Sequence, residues 1–355
     1  MQTASATEQK LELGKEYPSE NEMVLVSDIV KLLKDQMLRL YPPGKEMQRR
    51  QVHAKISGCV KAEFIVPELP DHLKVGLFKE AKTYPAWIRF SNGETHVSHD
   101  SKKDFRGFAL KIMNVPGKKL DLNHPEITSH DFILLNNKTF ISNDVRGFIK
   151  VLYVLATPHK ISSWPRKFRI VISSIPLIKR VGKAKTKIKH PAEIPYFSTT
   201  PYRFGDESKA VKYAVIPSPD NKLLYPDIKS KDFLGVNFAA TLKENQLFYD
   251  FYIQFQTDPE KMPVEDPTIE WTSEFIKVAT IRIPKQVIDT SERKTIGENL
   301  SYNIWHCLAE HRPIGIFNRL RKFIYEEMYS FRHKNNNVED KEPEAGDDFF
   351  NDTNM

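Results

Sequence analysis

The chain has 355 residues, 40% hydrophobic and 28% charged, the composition of an ordinary soluble globular protein with room for one large core or two smaller ones. Its net charge of +7 is local in origin: residues 160–189 carry ten Lys/Arg. No base-reading motif accompanies that run, which argues against nucleic acid as a partner and leaves a solvated face or an anionic membrane surface. The two cysteines, Cys59 and Cys307, make neither a metal pair by spacing nor a disulfide framework, which suits a reducing cytoplasm. The polar, acidic start has no secretory leader pattern, and no apolar run reaches membrane-spanning length.

In chain order, residues 1–20 read as a loose polar lead. Ser27 reads as the N-cap of a helix ending near Leu40, stopped by Pro42-Pro43-Gly44. This arm and helix, 1–45, precede a main domain at 46–335. Strand patterns follow at 58–66, 85–92, 104–113 and 130–136, the third alternating around Phe108, Leu110 and Ile112. Residues 143–190 read as helical and basic; within them 168–178 is the most apolar stretch of the chain, broken by Pro176 and able to rest on a bilayer or line a channel. An aromatic loop, 196–205, leads to strand patterns at 210–216, 235–241, 247–256 and 275–283. Eight candidates punctuated by turns predict an α+β protein built on a closed antiparallel β-barrel of about eight strands. Near the end, 319–332 predicts a helix with Arg321 and Tyr325 one turn apart on one face and Arg332 seven residues further along it. The acidic remainder, 336–355, reads as a disordered tail. Internal repeats, a Gly-rich phosphate loop and zinc-type histidine spacing are absent from the sequence.

The order Arg50-x-x-His53, Arg89-Phe-Ser91, Arg106-Gly-Phe108, then Arg321-x-x-x-Tyr325 and Arg332 resembles the haem catalase superfamily, in particular its short, catalase-related (mini-catalase) branch. Pro201-Tyr-Arg-Phe-Gly205, Pro263-Val-Glu-Asp-Pro267 with Trp271, and Asn303-x-Trp-His-x-Leu-x-Glu-His-Arg-Pro313 fit the same pattern, and the resemblance runs from about Arg50 to His333. It implies a cofactor, haem (haem b), and activity on hydrogen peroxide, as dismutation or peroxidase chemistry. His53 would be the distal acid/base, oriented by Ser91, with Val52 narrowing access. Tyr325 would be the proximal iron ligand, kept ionised by Arg321. Arg50, Arg89 and Arg332 would pair with the propionates; Arg106 would join them or belong to a buried ion pair in the barrel.

One departure stands out. Large catalases carry a distal asparagine in a Gly-Asn-Asn-Thr-Pro setting, and aligning it ahead of the third apolar run places Thr128-Ser129 there, with Asn136 and Asn137 too far along. Thr128 would then lend its hydroxyl to the distal pocket. The missing amide and the basic, apolar 160–189 segment motivate an alternative, an allene-oxide-synthase-like isomerase or lyase of fatty-acid hydroperoxides; a non-catalytic haem-binding protein is the third reading. Peripheral membrane contact and oligomerisation are open.

Overall fold

The computed structural model describes residues 10–20, 22–120, 127–156, 174–339, 342–346 and 348–351. Among the described residues nine strands form one antiparallel sheet: β1 (Lys55–Val66), β2 (Lys82–Asn92), β3 (Arg106–Ile112), β4 (His130–Leu135), β5 (Tyr196–Phe197), β6 (Tyr202–Phe204), β7 (Asp206–Pro217), β8 (Leu247–Phe255) and β9 (Phe275–Ile283). Eight of them close into a barrel in the order β1-β2-β3-β4-β5-β7-β8-β9 and back to β1, while β6 is a short addition beside β7. The closure rests on two residues. Phe197 pairs with Leu135 on one side and Ala214 on the other, and Tyr196 pairs with Val215.

The interior is filled with aromatic rings, as a barrel of this size requires. Phe64, Phe90, Phe108, Phe132, Tyr213 and Phe251 are all buried and meet largely edge to face, Phe90 on Phe108 at 5.0 Å and Phe132 on Tyr213 at 4.8 Å between centroids. Each such pair adds about 0.5–1.5 kcal/mol beyond burial. The strands alternate, so what the interior does not take points outward beneath the helices: Arg89 and Ser91 from β2, Gly107 and Ala109 from β3, Ile133 and Leu135 from β4.

Among the described residues six helices surround the barrel: α1 (Glu22–Leu40), α2 (Val145–Ala156), α3 (Ile175–Ala184), α4 (Phe233–Glu244), α5 (Ser291–Asn299) and α6 (Ile316–Asn336). α1, α2 and α6 share an apolar cluster that includes Ile29, Leu33, Met37, Val145, Leu320 and Met328. The start of α6 is held by carboxylates: Glu265 accepts the Ile316 N–H at 2.8 Å, and Arg319 pairs with Glu16, Glu22 and Glu265 at 2.6, 2.7 and 2.9 Å. Anions at a helix N-terminus complement its dipole. Among the described residues no helix is long and apolar enough to cross a membrane.

Four sequence expectations change. Residues 235–241 are helix, not strand: Phe233, Asn237, Phe238, Thr241 and Leu242 are buried at helical spacing in α4, and the eighth barrel strand is instead the two-residue β5. Ser27 lies inside α1, its hydroxyl on the Val24 carbonyl; the helix begins earlier, where the Glu22 carboxylate accepts the Ser19 N–H as half of a capping box. The polar lead is bound over its described part, 10–20, with the Gly14 N–H on Gln256 and Glu16 on Arg319. The tail is also docked where described. Phe349 is buried edge-on against Trp87, and Glu342 reaches the fully buried Lys111 ammonium at 2.8 Å. Acidic composition suggested disorder, but two aromatics and a buried cation in need of counter-charge outweigh it. Of the basic, apolar stretch, 157–173 lies outside the described residues; 174–184 is a turn and α3.

Candidate functional site

A cavity of about 1020 Å³ lies between the outer face of β2, β3 and β4 and the helix α6. It stands at the upper end of the usual range for ligand pockets. One wall is α6, which contributes Phe317, Arg321, Ile324, Tyr325, Tyr329 and Arg332. The opposite wall carries Arg50, Val52, His53, Arg89 and Ser91 over a floor of small and aliphatic residues, Gly107, Ala109, Ile133 and Leu135. Residues more than 270 positions apart in the chain thus border one space: His53 and Tyr325 both face it.

His53 sits at φ 61°, a left-handed backbone position that a non-glycine residue holds only when its surroundings fix it. Three bonds do so. Its N–H donates to the Gly93 carbonyl at 3.3 Å, its carbonyl accepts from Arg89 at 2.9 Å, and its Nδ1 lies 3.0 Å from Ser91 Oγ. The ring rests on Gly107, where a Cβ would come within 2.6 Å of Nδ1, so only glycine leaves it room. Burial, then the charges of Arg89, Arg50 and Arg321, push its pKa down to about 3. The imidazole is therefore neutral at physiological pH.

The arginines converge on the C-terminal end of α5. That helix packs so closely on β1 that a Cβ at Gly297 would meet Ile56 Cδ1 at 2.3 Å, and the approach brings its last carbonyls to the cavity. Gly297 O accepts from Arg50 at 2.9 Å and Arg89 at 3.1 Å, Leu300 O accepts from Arg50, and Glu298 O accepts from Arg332 at 2.8 Å. The Glu298 carboxylate stands 3.6 Å from Arg49, 3.9 Å from Arg50 and 4.0 Å from Arg89. Arg89 and Arg332 are 2% and 3% exposed, and burial with mutual repulsion from Arg50 lowers them to about 10 and about 9. The cluster holds more positive charge than Glu298 and a helix C-terminus offset.

On α6, Arg321 donates to Thr200 Oγ1 at 3.1 Å and Asn318 Oδ1 at 3.2 Å, and its guanidinium lies over the Phe140 ring at 5.5 Å. Two sequence assignments do not reach the cavity. Arg106, the first residue of β3, is buried with its guanidinium bound to Asn92 and to the Lys102 and Thr186 carbonyls, in the field of the Asp104 and Asp100 carboxylates. Thr128 is exposed and is not among the residues bordering the cavity. The register explains why. His130 pairs with Ile112, whereas Leu135 pairs with Gly107, the residue under the His53 ring. The distance from one end of this pairing to the other is roughly 17 Å at 3.3–3.4 Å per residue. The chain approaches His53 only as it leaves β4, and there Asn137 borders the cavity with its amide nitrogen on the Thr139 carbonyl at 2.6 Å. Counting from the far end of the strand set this asparagine aside as too far along, whereas the register brings it to the cavity.

No family model and no curated protein sequence matches the chain. Solved structures do. A fungal catalase aligns with TM-score 0.61 at 15% identity over 92% of this chain and 66% of its own. Catalase A from Saccharomyces cerevisiae aligns with TM-score 0.61 at 14% identity, over 92% and 68%. A bacterial catalase gives 0.59 and 15%, over 95% and 67%. The fold is that of the catalases. The chain spans about two thirds of the length of these catalases, and at such identities the likeness concerns the fold alone.

Proposed function

We propose that the chain is a haem-dependent enzyme acting on peroxides, of the short catalase-related kind its motifs resemble. The observation that carries this reading is the meeting, in one cavity, of the His53–Ser91 pair, the Tyr325 phenol and the Arg50, Arg89 and Arg332 cluster.

The residues fit the group. Arg50, Arg89 and Arg332 have positive charge to spare for two propionates, and bidentate guanidiniums suit carboxylates. The apolar floor of Ala109, Ile133 and Leu135 and the α6 wall suit a flat macrocycle. Tyr325 would hold the iron through its phenolate oxygen, with Arg321 one helical turn away on the same face. When bound, haem supplies the redox chemistry that cleaves a peroxide O–O bond.

His53 contributes proton movement. With Nδ1–H donating to Ser91 Oγ, Nε2 is free to take the peroxide proton and return it to the departing oxygen. Its low pKa keeps Nε2 unprotonated between turnovers. Asn137, two residues beyond the partner of Gly107, stands on the same side and can donate to a peroxide oxygen once its amide turns inward. That amide supports hydrogen peroxide as a substrate. A second reading, turnover of fatty-acid hydroperoxides, rests on the cavity's size and its apolar border of Ile29, Leu33, Met37, Leu152 and Val181.

The test is reconstitution with haem, followed by spectra and turnover. Tyr325→Phe should lose the tyrosinate-haem spectrum. His53→Gln should keep haem and lose about 10²–10⁴-fold in peroxide turnover, the usual contribution of a positioned acid/base. Unchanged turnover in His53→Gln would refute the assignment, and haem binding without any turnover would leave a haem-binding protein. A fatty-acid hydroperoxide offered beside H₂O₂ separates the two substrate readings.

A further inference from the structure

We propose that α3 is a docking face for an anionic bilayer, holding the mouth of the cavity against lipid. The helix buries Leu177 and Ala184 and leaves Ile175 and Ile178 46% and 42% exposed. On the water-facing side of a ten-residue helix these side chains leave much of their apolar surface in water. Lys179, Arg180 and Lys183 are exposed beside them, and the helix contains no acidic residue. At 100° per residue Ile175, Lys179 and Gly182 form the outermost line, Arg180 and Lys183 lie along one flank, and Ile178 lies along the other. An apolar strip with cations at its side fits a lipid headgroup boundary, where the isoleucines enter the acyl layer and the cations meet phosphate and carboxylate groups.

The position of this face argues for lipid as the occupant. The C-terminal end of α3 is fastened beside the His53 loop: Lys185 lies 3.5 Å from Glu94 and 4.0 Å from Asp104, and Thr186 and Asp104 exchange backbone hydrogen bonds at 2.9 and 3.1 Å. Ile178 borders the cavity while remaining 42% exposed, so it stands at the lip. Val52, 45% exposed, also borders the cavity. A small aqueous peroxide needs no apolar lip, whereas a hydroperoxide formed on an acyl chain would pass from bilayer to cavity without crossing water. Delivery of such a substrate rests on the lipid reading of the proposed function; docking itself does not.

Flotation of the full-length protein with vesicles tests docking without any peroxide. One set is phosphatidylcholine alone, the other phosphatidylcholine mixed with phosphatidylserine. The protein should float with the anionic set and be released by added salt. Lys179→Gln, Arg180→Gln and Lys183→Gln should each weaken binding about fivefold, and roughly 10²-fold together. Ile175→Ser with Ile178→Ser should reduce binding while leaving the thermal melt near that of wild type, since both side chains are exposed. Equal recovery with both vesicle sets, or binding indifferent to these changes, overturns the proposal. So does a dimer in size-exclusion chromatography that the isoleucine changes dissolve, because the face would then belong to a second copy. Loss of peroxide turnover with flotation intact would strike the haem reading alone.

Discussion

Gly107→Ala offers a direct test of how the distal side is built. The added Cβ would lie 2.6 Å from His53 Nδ1, 2.7 Å from Cε1 and 2.8 Å from Ser91 Oγ. Carbon contacts are comfortable at about 3.5 Å or more, so the ring must retreat by roughly 1 Å. It cannot slide back as a unit, because the His53 N–H and carbonyl are both held, by Gly93 and by Arg89. The ring must therefore swing about its side-chain torsions, and the 3.0 Å contact with Ser91 is lost. A displacement of this size costs on the order of 10²-fold in a positioned reaction, and the overpacking costs about 1–3 kcal/mol of stability. Haem affinity should change little, since the atoms nearest the added methyl belong to His53 and Ser91, not to Tyr325 or the three arginines. The assay is haem titration followed by oxygen release and peroxide consumption for wild type and variant. A variant that binds haem and turns over peroxide at the wild-type rate would refute the account of His53.

Acid sensitivity follows from the buried histidines. Burial lowers His311 to about 3 and His190 to about 4 from an ordinary 6.5, and His130 also falls well below it. Between pH 6.5 and about 4 the unfolded chain binds protons that the folded chain refuses, so stability is full above that window and declines as pH falls; a melting temperature flat from pH 7 to 4 would contradict this. For the same reason turnover should show no histidine-like inflection near pH 6.5, because His53 remains neutral down to about 3. Arg319→Ala strands the Glu16, Glu22 and Glu265 carboxylates in a partly buried site and should cost about 3–5 kcal/mol by chemical denaturation. It should also open residues 10–20 to limited proteolysis. Phe349→Ala removes the ring packed against Trp87 and should lower stability by about 3–5 kcal/mol if the tail remains docked, or by less if it releases; no change in the melt would show that the tail does not bind.

Much of the site was legible because its parts are local. Arg50-x-x-His53 lies on one short approach to β1, Arg89 and Ser91 share one face of β2 by alternation, and Arg321 and Tyr325 share one helix face by the 3.6-residue period. These relations need only backbone periodicity. The alternating patterns likewise set most barrel strands, though not 235–241, where a short apolar run satisfies strand and helix alike until its neighbours are known. The rest depended on pairings between distant segments. Only the β3–β4 register brings Asn137 to the His53 side and sends Thr128 outward. Only the approach of α5 to β1 supplies the carbonyls that gather Arg50, Arg89 and Arg332. A chain's own periodicity states which face a side chain takes; what that face meets is decided by packing between elements hundreds of residues apart, where a shift of one position exchanges inside for outside.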